Sequence, residues 1–207
     1  MLPKLCKMPD LSHLDPLTPG FIAAVMGFRG ELLTSKEKAY MRVLVRLTER
    51  AIIEYNVARK CIIDQIKEMK SAPEEMEKKG RHLYMLNFID HMEYCINTIR
   101  RLFWILEAAK REPNRGLTID HFLRNRIETH YDNVKKIRDF IIHIDERIHD
   151  KETTGVVMLK LSDDDTGVEI MEYSLEFNDL TILLERFHEL ACQWLDDFCK
   201  KQKKKDN

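Results

Sequence analysis

Four residues separate Arg138 from His143 in the segment IRDFIIHIDERI, residues 137–148, and Asp139 follows the arginine directly. Arginine is a permanent, forked donor that fits a phosphate. Histidine gives or takes a proton near neutral pH. Together they are a minimum set for cutting RNA without a metal: one group holds the phosphate while the other moves the proton. Asp145, Glu146 and Arg147 carry the charged run past the histidine.

The element that must position these groups is a helix. Ile127, Val134, Ile137, Ile141, Ile144 and Ile148 recur at close to three- and four-residue steps, the stripe a core-facing helix needs. Asp139, His143, Glu146 and Arg147 share a second face, with Arg138 beside Asp139. Arg138 and His143 lie about 140° apart on a 3.6-residue helix. A phosphate must therefore bridge them, or a second subunit must complete the site. Arg124 and His130 form another pair of the same kind, with five residues between them. Position on the helix and the flanking IRDF and HIDERI favour the 138–143 pair.

The surrounding chain reads as one helical unit. Its 207 residues suit one domain, and 44% hydrophobic residues suffice for a core. High charge, at 33%, with few aromatics, glycines and prolines is a helical composition. No apolar run approaches the ~18 residues of a membrane span. The first twenty residues carry prolines and acids where a signal peptide has an apolar block. The expectation is a cytoplasmic protein. Cys6, Cys61, Cys95, Cys192 and Cys199 are scattered and odd in number, which predicts free thiols. Residues 1–149 carry 26 Lys/Arg against 21 Asp/Glu, and residues 150–207 carry 8 against 14. That asymmetry places any nucleic-acid surface on the first part.

Residues 1–35 hold four of six prolines and predict an irregular arm, with the apolar Phe21–Phe28 stretch able to dock on the body. Ser35 reads as the N-cap of a helix to about Lys70, with Val43, Leu44, Leu47, Ala51, Val57, Ala58, Cys61, Ile62 and Ile66 inward. A second helix spans Leu83–Arg111, with Leu86, Ile89, His91 or Met92, Ile96, Ile99, Phe103 and Leu106 inward. The motif helix follows from Thr118 to about Asp150. A β-hairpin at about 155–174 turns on Asp163-Asp164-Asp165-Thr166-Gly167. Asn178 or Asp179 caps a last helix to about Cys199, and residues 201–207 predict a basic disordered tail. The fold class is all-α: a four-helix bundle over residues 36–200, with a hairpin before the last helix.

On these residues the chain resembles the HEPN superfamily, the higher eukaryotes and prokaryotes nucleotide-binding domains. Members are helical bundles, many of them metal-independent endoribonucleases, marked by Arg, four to six residues, then His, near the end of a late helix. Arg138-Asp139-Phe140-Ile141-Ile142-His143 fits that mark, and 144–148 looks like the acidic continuation of small bacterial members. The resemblance implies a homodimer with one composite site. Arg138 would bind the scissile phosphate, and His143 would activate the ribose 2′-hydroxyl or protonate the leaving group. Asp139 would orient one of them. It further implies an RNA substrate and a toxin or defence role, with a cognate antitoxin as partner. Some HEPN toxins carry a modifiable tyrosine two residues after the histidine, where this chain has Asp145. A second reading fits the same residues: a non-catalytic HEPN-like bundle that binds a protein or nucleotide partner.

Three other groups of residues invite chemistry. Arg42, Arg46 and Arg50 form a four-residue ridge that could track an RNA backbone, with Arg147 on the motif helix, or simply a solvated face. His188, Cys192 and Cys199 share one helix face, yet apolar neighbours and the lack of a fourth ligand favour core packing over zinc. The acidic 163–167 run is too short for a calcium loop. No Gly-rich nucleotide loop, G-x-S-x-G or H-E-x-x-H is present. Neither metal nor cofactor is expected.

Overall fold

Thr34, not Ser35, opens the first long helix. Its side chain accepts from the Glu37 backbone N–H at 3.2 Å, and the Glu37 carboxylate accepts from the Thr34 N–H at 2.9 Å. This reciprocal capping box follows from Thr-x-x-Glu spacing and stabilises a helix start by about 1 kcal/mol. The computed structural model describes residues 2–26, 34–71, 83–112, 119–144, 146 and 158–203. Among them are five helices: α1 (Leu17–Met26), α2 (Ser35–Met69), α3 (Tyr84–Lys110), α4 (His121–Ile142) and α5 (Phe177–Lys203). Three short strands, β1 (Lys160–Leu161), β2 (Gly167–Ile170) and β3 (Tyr173–Glu176), precede α5.

The N-terminal arm is more ordered than its prolines suggest. Pro19 falls in the first turn of α1, where the N–H it lacks has no helical partner to lose. Met8, Leu11 and Leu17 are buried, and α1 packs on α2 and α5. Arg59 of α2 holds the arm, donating from Nε to the Met8 carbonyl at 3.1 Å and pairing with Asp10 at 3.1 Å. The Tyr55 hydroxyl lies within hydrogen-bond reach of both the Pro9 carbonyl and Thr181 of α5.

The expected hairpin is a three-stranded antiparallel meander in the order β1-β2-β3. The third strand was missed because it runs straight into α5, leaving no loop for a cap. The helix therefore starts at Phe177, ahead of Asn178 and Asp179. Gly167 pairs with Glu176, and a Cβ there would collide with the Leu175 carbonyl oxygen, so only glycine fits. Asp165, with φ 62°, turns its carboxylate back to accept the Lys4 and Leu5 N–H groups at 3.0 and 2.9 Å. Sheet and arm are thereby locked together. Val156 and Val157 lie outside the described residues.

α2 packs most extensively on α3, while α4 packs on α3, α5 and the sheet. Tyr55, Phe88, Phe140, Phe187, Trp194 and Phe198 fill the core. Leu86 departs from expectation: it is 53% exposed, in the first turn of α3 on the face away from Met85 and Phe88. α5 continues to Lys203, so residues 201–203 are helical, not part of a disordered tail. The fold is mostly helical with a small antiparallel sheet. No helix among the described residues is long and apolar enough to cross a membrane.

Candidate functional site

Asp120 caps the start of α4, its carboxylate accepting the Leu123 N–H at 2.9 Å. From there Leu123, Ile127, Tyr131, Val134, Ile137 and Phe140 point inward at three- and four-residue steps. That stripe fixes the rotation of the helix, leaving Arg138 and Asp139 half-buried at its border and His143 exposed. The regular helix closes at Ile142, earlier than the sequence pattern implied. His143 is its C-cap, with φ −98° and ψ 15°, and its N–H donates to the Asp139 carbonyl at 3.3 Å.

At this end each charged group has one short-range partner. Arg138 Nη1 donates to Asp139 Oδ1 at 2.9 Å. His143 Nδ1 lies 2.9 Å from Glu146 Oε2, with the two side chains 51% and 75% exposed. No bond joins Arg138 to His143 among the described residues. Asp145, Arg147 and Ile148 lie outside them. Two surface cavities, of about 310 and 260 Å³, occur elsewhere: one at the first turn of α4 against α5, one beneath the arm. Neither is lined by Arg138, Asp139 or His143.

The competing Arg124–His130 pair has a different fate. Arg124 Nε donates to Glu128 Oε1 at 2.8 Å, and Lys110 of α3 donates to the same oxygen at 3.0 Å. The Arg124 hydrogen bond, ahead of Lys110, holds the Glu128 carboxyl below its ordinary value. His130 reaches across to α5, its Nδ1 3.0 Å from Asp179 Oδ1. These ties pin α4 to its neighbours and leave little for a ligand.

Arg42, Arg46 and Arg50 are exposed along α2, as their spacing predicted. However, α2 packs against α1, α3 and α5, with no comparable contact to α4, so the ridge belongs to a different part of the molecule from the motif. Arg50 pairs with Glu54, a buried acid whose other oxygen lies 2.5 Å from His91 Nδ1 of α3. Arg50 is therefore part of an internal tie. His188 Nε2 donates to the Asp15 carbonyl at 2.8 Å, and Cys192 Sγ lies 3.8 Å from its other ring nitrogen. The described residues hold no group of three potential metal ligands. Cys6, Cys61, Cys95 and Cys192 are free thiols, and burial pushes all four upward in pKa.

Sequence spacing did not disclose what lies beside the motif on α3. Phe103 stacks on Tyr131 with centroids 3.6 Å apart and planes at 2°, and the Arg100 guanidinium sits 5.6 Å from the Tyr131 ring centre. Burial raises the Tyr131 pKa; Arg100 opposes it most, with Asp139 and Arg138 acting from further off. The buried Tyr131 hydroxyl makes no hydrogen bond of good geometry among the described residues, and Arg100 is the group placed to supply one. Only the register between α3 and α4 brings these groups together. The chain matches no family model, no curated protein and no solved structure.

Proposed function

We propose that this chain is a metal-independent endoribonuclease of HEPN type, acting as a homodimer whose paired α4 ends complete one site. The observation that supports it best is the contrast within α4. Arg124 shares the Glu128 carboxylate with Lys110 of α3 and His130 reaches Asp179 of α5, whereas Arg138 and His143 have as partners only acids one and three residues along the chain, Asp139 and Glu146, among the described residues. The Asp139 and Glu146 carboxylates are the more exposed partner of each pair, and such pairs are worth ~0–1 kcal/mol, so a phosphate can displace them at little cost.

In this reading His143 takes the proton of a ribose 2′-hydroxyl, and the 2′-oxygen attacks the adjacent phosphorus. The bond to the 5′-oxygen breaks, the leaving 5′-hydroxyl takes up a proton, and a 2′,3′-cyclic phosphate remains. Arg138 holds the non-bridging oxygens, with Asp139 fixing its guanidinium at 2.9 Å. Glu146 orients the imidazole through Nδ1, leaving Nε2 for the substrate. A toxin or defence role, with an antitoxin as partner, belongs to the same proposal.

A second reading draws on the same distances. Arg138 and His143 already hold carboxylate partners, which suits a non-catalytic bundle that docks a protein or nucleotide. RNA cleavage in EDTA separates the two. The expected result is cleavage by the wild type, lost by roughly 100-fold or more in Arg138→Ala and His143→Ala with folding intact. An inactive wild type across varied RNAs would leave the docking bundle. Expression that harms the host, relieved by either substitution, would support the toxin role.

A further inference from the structure

Arg138 is not the only cation on its side of the molecule. Tyr131 lies seven residues earlier, two turns back on the same side of α4, and Lys135 falls between them at the four-residue step. α3 runs antiparallel to α4: Phe103 meets Tyr131 while the later Lys110 meets the earlier Glu128. Arg100, three residues before Phe103, is therefore displaced from Tyr131 toward Arg138. Its guanidinium rests by the Tyr131 ring, which the Phe103 stack holds flat. Arg100 is half-buried and Lys135 exposed, and neither has a carboxylate partner among the described residues. Asp132 and Asp139 stand three residues before and four after Lys135 on α4, and Asp139 is bonded to Arg138.

A guanidinium set against an aromatic ring, with no ion pair to a carboxylate among the described residues, can receive an anion. The stretch from Tyr131 to Arg138 is about 10 Å along the helix, roughly three stacked nucleotides at ~3.4 Å each. We propose that Arg100 and Lys135 form a phosphate track that holds a single RNA strand on the α3–α4 face, running up to the phosphate at Arg138. Tyr131 positions Arg100 and does not touch the strand, since its hydroxyl is covered. The track rests on the nuclease reading for the identity of its strand, but its binding is separable from cleavage.

The probe is a short, fluorescently labelled 2′-O-methyl RNA, which has no free 2′-hydroxyl to attack. Anisotropy is followed over a salt series for the wild type, Arg100→Gln, Arg100→Lys and, as a control at the end of α3, Arg111→Gln. Arg100→Gln is expected to weaken binding roughly 5- to 10-fold and to lower the salt slope by about one phosphate contact. Arg100→Lys should recover the slope, and Arg111→Gln should change neither. An unchanged slope in Arg100→Gln, or no binding by the wild type, would overturn the track. Binding that depends on Arg100 beside a wild type unable to cut ordinary RNA would keep the track and remove the nuclease. Cleavage with an unchanged slope would do the reverse.

Discussion

Arginine, histidine and carboxylate meet in two places whose surroundings could hardly differ more. Between α2 and α3, Glu54 is 2% exposed and takes Arg50 on one oxygen and His91 on the other. At the end of α4, Arg138 and His143 each hold a separate carboxylate in reach of water. In the first set both oxygens of one buried acid are bonded, so the cluster joins two helices around a carboxylate that water does not reach. In the second, two acids serve two cations within a single helix end, so either pair can open without exposing a buried charge. The same residue types are structural where they converge on a buried acceptor and available where they do not.

The sharpest way to break that contrast is to remove the acid from the first cluster. Glu54→Ala is expected to lower stability by about 2–3 kcal/mol, below the ~3–5 kcal/mol of a fully buried broken pair. The discount arises because the Arg50 side chain is already 61% exposed and can turn to water. Urea unfolding gives the number. A loss under about 0.5 kcal/mol would mean that Glu54 ties nothing, and the distinction would fall. Asp139→Ala at the other site should cost no more than ~0.5 kcal/mol.

The histidine pair on α4 sharpens the comparison at lower cost. His130→Ala removes a tie to Asp179 of α5 that is about one-quarter exposed on each side, so a loss of about 1 kcal/mol is expected. Its effect on RNA cleavage should be slight. His143→Ala should behave inversely, leaving the unfolding midpoint in place while removing cleavage. If His130→Ala abolished cleavage and left stability alone, Arg124 and His130 would have to replace the 138–143 pair as the candidate site.

Sequence pattern carried most of the helical framework because burial imposes its period directly. Leu44, Leu47, Ala51, Ala58 and Ile62 on α2, and Leu183, Phe187, Leu190 and Trp194 on α5, are buried where three- and four-residue spacing put them. It failed where local and tertiary signals diverge. Leu86 continues the apolar count but sits in the first turn of α3, on the face away from the core. The prolines of the arm concealed α1, since they mark turns in the sequence yet are tolerated at a helix start. Of the candidate site, the helix that carries Arg138 and His143 was readable from its apolar stripe, Ile127, Val134 and Ile137 being buried. Arg100 was not, because its neighbourhood depends on how far α3 slides along α4, which no local spacing encodes.

The smallest predicted effect tests the far side of the same comparison, a carboxylate saturated by local donors on the surface. Asp164 accepts from the Thr166 hydroxyl at 2.8 Å, the Ser162 hydroxyl at 2.8 Å and the Thr166 N–H at 3.1 Å. These bonds, the Thr166 hydroxyl first, pull its carboxyl from an ordinary value near 3.8 down to about 2. The folded value lies below the unfolded one, so the turn is stabilised by the ionised form. That contribution is complete above about pH 4 and disappears as pH falls through about 2. Exchange protection of the Thr166 and Gly167 amides should therefore fall across this window, and Asp164→Asn should flatten the profile while leaving α4 unaffected. A profile unchanged by the substitution would show that the Asp164 carboxylate does not hold this turn. Asp164 gathers several local donors on one oxygen and so holds a turn in place, whereas Asp139 and Glu146 at the end of α4 each face one cation.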